Sequence, residues 1–492
     1  MQYFAIFRRQ IIVLMSKIVK NYLYNVLYNI LVLIAPLITA PYLARILGAE
    51  QLGIYSYINS ATSIIISISI IGLYSYGSRQ IAYVRDDRER LSQEFWNLMG
   101  LRVCLGIIGS VIYFVYAAQT KYLIYFSLYY IYYLGNAMDC TWLFNGVENM
   151  KIPALKNIAA KLISVAGIFV FVHNKNDLWK YILLLAGATF IGMIFTYPQI
   201  GKYASLKRPD LKSFKKHGIG AVVLFLPSLV ATIYLQMDKV MIEWLTNDTA
   251  EVAFYDQAEK IVMIPLTFIT VLSTVLMPRI ANEFANHNKK KITELLTKAC
   301  KVSLFMAFPL MFGIAAIAEN FIPWYLGNEF LDTSVALMIL SPIVLSNTLI
   351  GISGTQYFIA TNQVKILLFS NSLAAVLNII VNRMLIPQWG YIGAAIATLI
   401  SNYVLVMVQY YALSKQVAIR EMFKRTEKYL IVSSIMFGVV YAIGEVVPHN
   451  PFSTILQIMI GMIVYFGSLL LIRDNLTSEF IVQIKKRINR NE

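Results

Sequence analysis

About fourteen stretches, each long and apolar enough to cross a bilayer as a helix, follow one another through the chain. They lie near 22–44, 54–78, 97–118, 122–144, 155–173, 179–199 and 219–245, then near 253–278, 299–322, 333–357, 366–386, 391–413, 429–447 and 453–472. Hydrocarbon offers no partner to a backbone N–H or C=O, so only helices and closed barrels span it, and these runs are too long for barrel strands. The expectation is an all-α, polytopic membrane protein. Composition agrees: 58% of residues are apolar or aromatic and 14% charged, with a mean hydropathy of +0.63. The stretch after Arg8, Arg9, Lys17 and Lys20 superficially resembles a secretory signal. It is of spanning length and carries no small-residue cleavage site, so it reads as the first anchor.

The formal charge of +16 is not a nucleic-acid footprint, because Lys and Arg sit in short clusters between apolar runs and not on one solvated surface. Placed on the side that holds Met1, alternate connections carry roughly 34 of the 42 basic residues. By the positive-inside rule that side is the cytosol, with both termini there. The densest clusters are Lys207, Arg208, Lys212, Lys215 and Lys216, and Lys289 to Lys291. Cys104, Cys140 and Cys300 have no CxxC spacing and make no disulfide or metal framework. His173, His217, His287 and His449 all fall in connections and read as solvated.

The chain looks internally repeated. Tyr55 precedes Arg79 by the same 24 residues that separate Tyr255 from Arg279, and the blocks Trp142 to Lys151 and Gln356 to Lys365 share a spacing of nine. This suggests two pseudo-symmetric six-helix lobes plus two C-terminal helices. The expected division is an N-lobe at 1–200, a cytosolic linker at 201–218, a C-lobe at 219–414, and a C-terminal pair with a basic cytosolic tail at 415–492.

No P-loop, HExxH or GxSxG is present, and no large soluble loop on which to build a catalytic site. The chain is therefore expected not to be an enzyme. What remains is polar residues on apolar helices, which in lipid face a cavity or a neighbouring helix. Tyr122, Tyr125, Tyr129 and Tyr133 stand on one helical face, continued by Asn136 with Asp139 at its edge. Such a stripe suits the stacking of sugar rings; interfacial anchoring and helix packing use Tyr in the same way. Asn371, Asn378 and Asn382 share another face, suited to hydroxyl-rich ligands or to interhelical hydrogen bonds. Arg102 lies inside the third span, with Asp139, Glu148, Lys151 and Lys161 towards the cytosolic ends of the fourth and fifth. Asp238, Lys239 and Glu243 close the seventh span and Asp256, Glu259 and Lys260 open the eighth, where mutual pairing is expected. Arg45 and Arg383 lie near outer helix ends, where they anchor.

These residues resemble a family, the bacterial polysaccharide-export flippases of the MOP superfamily, also known as Wzx-type O-antigen or capsule repeat-unit transporters. The resemblance runs nearly end to end. Pro41 to Gly53 resembles the family's "aRxLGxxxxG" signature, and Trp142 to Glu148 its more specific "WlfqGlE" block, with Asn145 where Gln is usual. Met237 to Ile242 with Tyr255 to Ala258 is similar to its "xDrxmig…Yxxa" pair, and Gly390 to Ala395 to its "GxxGAA" turn. The resemblance implies the MOP flippase fold, a central cationic cavity with alternating access, and an undecaprenyl-diphosphate-linked oligosaccharide as cargo. It makes Arg102, Arg45 and Lys239 candidates for the diphosphate, although Lys239 stands where Arg is commoner and has no bidentate fork. Tyr129, Tyr133, Asn136, Asn371, Asn378 and Asn382 become candidates for sugar, and Asp139, Glu148 and Asp238 for coupling to an H+ or Na+ gradient. No cofactor other than that ion is implied. On this reading Arg102→Ala abolishes transport with the protein retained. Implied partners are the lipid-linked oligosaccharide, membrane lipids, and polysaccharide polymerase and assembly proteins, with no nucleic acid, and the implied location is the bacterial cytoplasmic membrane. Rival readings are a peptidoglycan-precursor flippase or multidrug exporter of the same superfamily, and, from other classes, a membrane polymerase or an assembly scaffold. The Trp142 block argues against the first two, and the absence of a long outer segment against the polymerase.

Overall fold

The structure, a computed structural model, describes the backbone of residues 2–70 and 72–478, and side chains from Tyr28 onward apart from a few helical positions. The basic tail expected at the C-terminus lies outside the described residues from position 479. Among the described residues there is no strand. Helix α1 (Gln2–Ile70) turns at Gly48 and is followed by α2 (Leu73–Val84), α3 (Arg88–Ala118), α4 (Leu123–Ala137), α5 (Thr141–Gly146), α6 (Lys151–Phe171), α7 (Leu178–Ile194), α8 (Tyr197–Ile200) and α9 (Leu211–Thr246). Then come α10 (Thr249–Ala285), α11 (Lys289–Tyr325), α12 (Asp332–Leu340), α13 (Ile343–Ile350) with a π-helical continuation over Gly351–Ile359, α14 (Val364–Ser414), α15 (Ile419–Met422), α16 (Glu427–Gly444) and α17 (Pro451–Leu471). Nine helical runs among the described residues are long and apolar enough to cross a membrane, and two of them, 34–84 and Val364–Ser414, have 51 residues each and so cross twice. With the limbs of α1 and α14 taken separately and α12 to Ile359 as one, the long helices number the fourteen that hydropathy predicts. This is a multi-pass membrane protein.

The helix ends follow local chemistry. Asp87 caps α3 by accepting from the N–H groups of Glu89 and Arg90, Asp248 caps α10 at the Ala250 N–H, and Asn450 caps α17 ahead of Pro451. The turns inside α1 and α14 need glycine. Gly48 has φ 77° and Gly390 φ 52°, a region where side chains are disfavoured. At Gly390 the space is also taken, since an added Cβ would lie 2.0 Å from Glu251 Oε2, and that carboxylate accepts from the Tyr391 N–H at 2.9 Å.

The chain divides into two compact units, 1–236 and 237–492. The division falls inside α9, so residues 219–236, expected to open the second lobe, group with the first unit. In the first unit α4 packs on α7, α6 on α7 and α1, and α2 on α5. The Trp142 block explains the last contact. Trp142 stacks on Phe95 with ring centroids 5.2 Å apart and covers Gly77, where a Cβ would sit 2.8 Å from the indole. In the second unit α11 packs on α16 and α10, and α16 on α17.

The repeated blocks share a local geometry. Glu148 and Asn362, each six residues beyond Trp142 and Gln356, both have φ 57°. The next N–H in each case reaches back to a buried phenylalanine, Asn149 to Phe144 O at 2.8 Å and Gln363 to Phe358 O at 2.7 Å. Both are the same 6→1 closure of a helix end. The Tyr-to-Arg segments differ: the first copy breaks at Gly72 (φ 65°), whereas α10 runs unbroken from Tyr255 to Arg279.

Apolar side chains point outward as well as inward, with Ile107 62% and Ile463 68% exposed, while Ser60, Gln356, Asn378 and Gln457 are buried. That inversion is what lipid selects, because polar groups find partners only inside.

Candidate functional site

The first unit encloses a polar cavity of about 470 Å³ between α1, α4, α6 and α7, with Tyr74 of α2 at its edge. Two aromatic walls come from α4, where Tyr129 and Tyr132 stack with centroids 4.7 Å apart and planes 9° from parallel. Tyr55 of α1 meets Tyr129 edge-on at 6.0 Å, and the Tyr129 hydroxyl donates to Asn59 Oδ1 at 2.9 Å. Asn136 lies one turn beyond Tyr132 and donates to its carbonyl at 2.9 Å. At the same end Lys156 of α6 donates to Asp139 Oδ1 at 2.6 Å and to Thr141 Oγ1 at 2.9 Å. Stacked rings, amides and a half-buried ion pair in one hollow are the groups that bind sugars: π faces for ring C–H, and donors and acceptors for hydroxyls.

The structure separates other residues from this cavity. Tyr133, one turn on from Tyr129, is fully buried, and its hydroxyl donates to Gly106 O at 2.8 Å, so it packs α4 on α3. Arg102 is 3% exposed and turns two of its nitrogens to the end of α4, Nε donating to Ala137 O at 2.8 Å and Nη2 to Asn136 O at 2.7 Å, while Nη1 is buried with no hydrogen-bond partner among the described residues. A fixed cation at the last carbonyls of a helix is a favourable cap. The Arg102 position therefore holds the cavity's wall, and the cavity's own cations are Lys156 and Lys161. Arg45 is exposed near the Gly48 turn and donates within its own helix to Pro41 O at 3.1 Å. Glu148 is exposed, in the left-handed conformation, and pairs with Arg85 at 2.5 Å.

In the second unit Lys239, Asp256, Glu259 and Lys260 pair with one another as expected, and Asp238 is not among the described ion pairs. Lys239 is buried and donates to Glu259 Oε2 at 2.9 Å and to Asp256 Oδ1 at 3.4 Å, while Lys260 binds the other oxygen of Asp256 at 2.5 Å. Its charge is already compensated, and breaking such a buried pair costs several kcal/mol, about 3–5.

Asp238 is built differently. It is 2% exposed and accepts from three neutral donors: Asn382 Nδ2 at 2.6 Å on one oxygen, and the Tyr255 and Thr398 hydroxyls at 2.7 and 2.8 Å on the other. Asn378 Oδ1 accepts from Asn382 at 3.1 Å. Asn382 Oδ1 and Asn378 Nδ2 are buried with no hydrogen-bond partner among the described residues. No Lys or Arg reaches Asp238 among the described ion pairs. Of the three asparagines on α14, Asn378 and Asn382 thus join Asp238, while Asn371 lies half-buried about two turns away.

Sequence reasoning missed Tyr132, Tyr55, Asn59, Lys156, Tyr255 and Thr398 as site residues. Lys156 sits one turn and a half into a span, a position that marks it in the same way as Arg102. Thr398 carries no signal, since a threonine on a helix commonly bonds back to its own turn; its single hydroxyl hydrogen lies between Asp238 Oδ2 at 2.8 Å and Ala394 O at 3.0 Å.

A multi-pass helical membrane protein with a polar hollow inside one of its helix bundles is the class that the fold and the cavity define. Residues 18–284, more than half of the chain, match the family described as polysaccharide biosynthesis protein, and residues 224–384 match the MatE family. The chain belongs to the polysaccharide biosynthesis protein family. It is 24% identical over 433 residues to Agl15 of Haloferax volcanii, a flippase named for low-salt glycan biosynthesis, covering 87% of this chain and 89% of that one. It is 22% identical over 393 residues to a protein of Escherichia coli (strain K12) named as an O-antigen transporter, covering 77% and 92%. Among solved structures, the lipid II flippase MurJ in an inward closed conformation superposes with a TM-score of 0.72 at 18% identity, over 92% of this chain and all of that one. An inward-facing multidrug transporter of the MOP superfamily superposes with a TM-score of 0.61 at 16% identity, over 81% and 95%. The fold is therefore that of the MOP superfamily.

Proposed function

We propose that this protein is a flippase that carries undecaprenyl-diphosphate-linked oligosaccharide repeat units from the cytosolic to the outer leaflet of a bacterial cytoplasmic membrane, for surface polysaccharide assembly. The observation that carries the reading is the first-unit cavity, in which stacked Tyr129 and Tyr132, Asn136 and the Asp139–Lys156 pair line one hollow. The family match and the glycan-transporting relatives agree with it. Polysaccharide polymerase and assembly proteins would receive the product, and the basic connections would face the cytosol.

Asp238 is the proposed ion-coupling residue. A buried carboxylate that meets only neutral donors within an apolar bundle has no fixed counter-charge among the described ion pairs, which is the arrangement a reversibly bound ion requires. The unengaged Asn382 Oδ1 beside it, with the Thr398 hydroxyl, offers oxygen ligands of the kind Na+ takes, and proton binding needs no more than the carboxylate itself. The test is reconstitution into liposomes with a defined lipid-linked oligosaccharide, with and without imposed H+ and Na+ gradients. Wild-type protein is expected to flip the glycolipid faster under one of the two gradients. Asp238→Asn, which keeps the side chain's shape, is expected to lose that acceleration. Transport of small cationic drugs in place of the glycolipid would overturn the reading.

A further inference from the structure

We propose that the polyprenyl anchor of the cargo lies in a groove between α6 and α7, with its phosphates at Lys151 and Lys202 and its sugars in the cavity on the other side of α6. This rests on the flippase reading above and names the path of the lipid within it.

The groove has a volume of about 530 Å³. Its walls are Leu155 and Ile163 of α6 and Ile191 and Phe195 at the end of α7, all exposed, with Phe195 71% so. At one end Lys151 and Lys202 line it with no carboxylate among the lining residues, and Lys156 lines it with its ammonium paired to Asp139 at 2.6 Å. That end is also the start of α6, whose first turn has no side-chain cap and, with Pro153 carrying no N–H, presents the N–H groups of Lys151 and Ile152. Lys156 and Ala160 line both this groove and the polar cavity. Gly192 makes the arrangement possible, because a Cβ there would come within 3.1 Å of Lys156 Cγ, where the stem of the lysine crosses α7.

Apolar groove, pair of cations and polar aromatic hollow thus follow one another around α6. A polyprenyl diphosphate bearing sugars has the same three parts in the same order. An ordinary anionic phospholipid would occupy the first two and leave the hollow unused, which favours the glycolipid's anchor as occupant.

The test uses the full chain in nanodiscs and a polyprenyl-diphosphate-linked oligosaccharide with a photoactivatable group in its polyprenyl chain, mapped by mass spectrometry. Crosslinks are expected within 155–163 and 188–195. Each of Lys151→Gln and Lys202→Gln is expected to lower capture about fivefold. Crosslinks elsewhere in the wild-type protein, which needs no variant to fold, overturn the inference. So does equal displacement of the probe by phosphatidylglycerol at the same concentration, which would make the groove a site for leaflet lipid. A parallel flipping assay separates the two readings. Flipping without groove crosslinks removes the groove and leaves the flippase; groove crosslinks without flipping keep a polyprenyl site and remove the flippase.

Discussion

At the residue scale, the same class of signal led to different ends. Arg102 and Asp238 are both ionisable groups within apolar helices, and both are functional candidates on that ground. The guanidinium turned out to have peptide carbonyls as its partners, and Asp238 has only neutral side-chain donors. Arg102→Ala is therefore expected to destabilise the protein by about 3 kcal/mol through two lost charge-assisted hydrogen bonds and an uncapped α4. This reverses the sequence-based expectation of lost transport with the protein retained. Protein yield and the thermal unfolding midpoint in detergent check it, and an unchanged midpoint would return Arg102 to the list of cargo ligands. A single sequence places Tyr129, Asn136 and Asp139 on one helical face, and the structure puts all three around one cavity. It cannot choose between Tyr132 and Tyr133, because that depends on where α3 packs against α4, and the neighbour decides which tyrosine is buried against Gly106.

At the scale of elements, spans and their ends were legible where local chemistry decides them. Hydropathy marks each crossing, and Asp87, Asp248 and Asn450 mark starts. The π-helical stretch Gly351–Ile359 and the break at Gly72 were not legible, since both answer to packing against other helices. The Gly390 turn yields a sharp expectation. Gly390→Ala combines a left-handed backbone with a Cβ in the space of the Glu251 carboxylate, and is expected to cost about 2 kcal/mol or more. Gly438→Ala, where a Cβ meets nothing within 4 Å, is the control and should leave the unfolding midpoint unmoved or slightly raised. The segment after α17 is tied down by Asp474, which binds Lys428, accepts from the Thr477 N–H at 2.9 Å, and lies by the Tyr429 hydroxyl. Burial pushes the Asp474 carboxyl up, but the Lys428 ammonium and the Thr477 donors outweigh it and hold it below the ordinary carboxylate value. Its stabilising effect is thus complete above the unfolded value near pH 4 and fades as pH falls through the lower folded one. Unfolding midpoints taken from pH 6 down to 3 should fall less steeply in Asp474→Asn than in wild type, from a lower starting point. Parallel curves would remove the assignment.

At the scale of the whole molecule, orientation follows from charge and not from shape, because the fold's fourteen crossings read equally well from either side of the membrane. The connections holding Lys207 to Lys216 and Lys289 to Lys291 lie on the side assigned to the cytosol. The connection before α3, with Asp86 exposed at its turn, is on that same side, and the one between α3 and α4, with Lys121 exposed, is on the other. Labelling with a membrane-impermeant maleimide tests the assignment directly. The native background is small: Cys140 and Cys300 are buried and only Cys104 is exposed, so Cys104→Ser leaves little thiol to react. In that background Lys121→Cys is expected to label in intact cells, and Asp86→Cys only after the membrane is opened. The reverse pattern would invert the topology and, with it, the direction in which a cavity with its cations at the Lys156 end receives a diphosphate. Since α3 crosses once between the two positions, one pair of variants decides the sense of every other crossing.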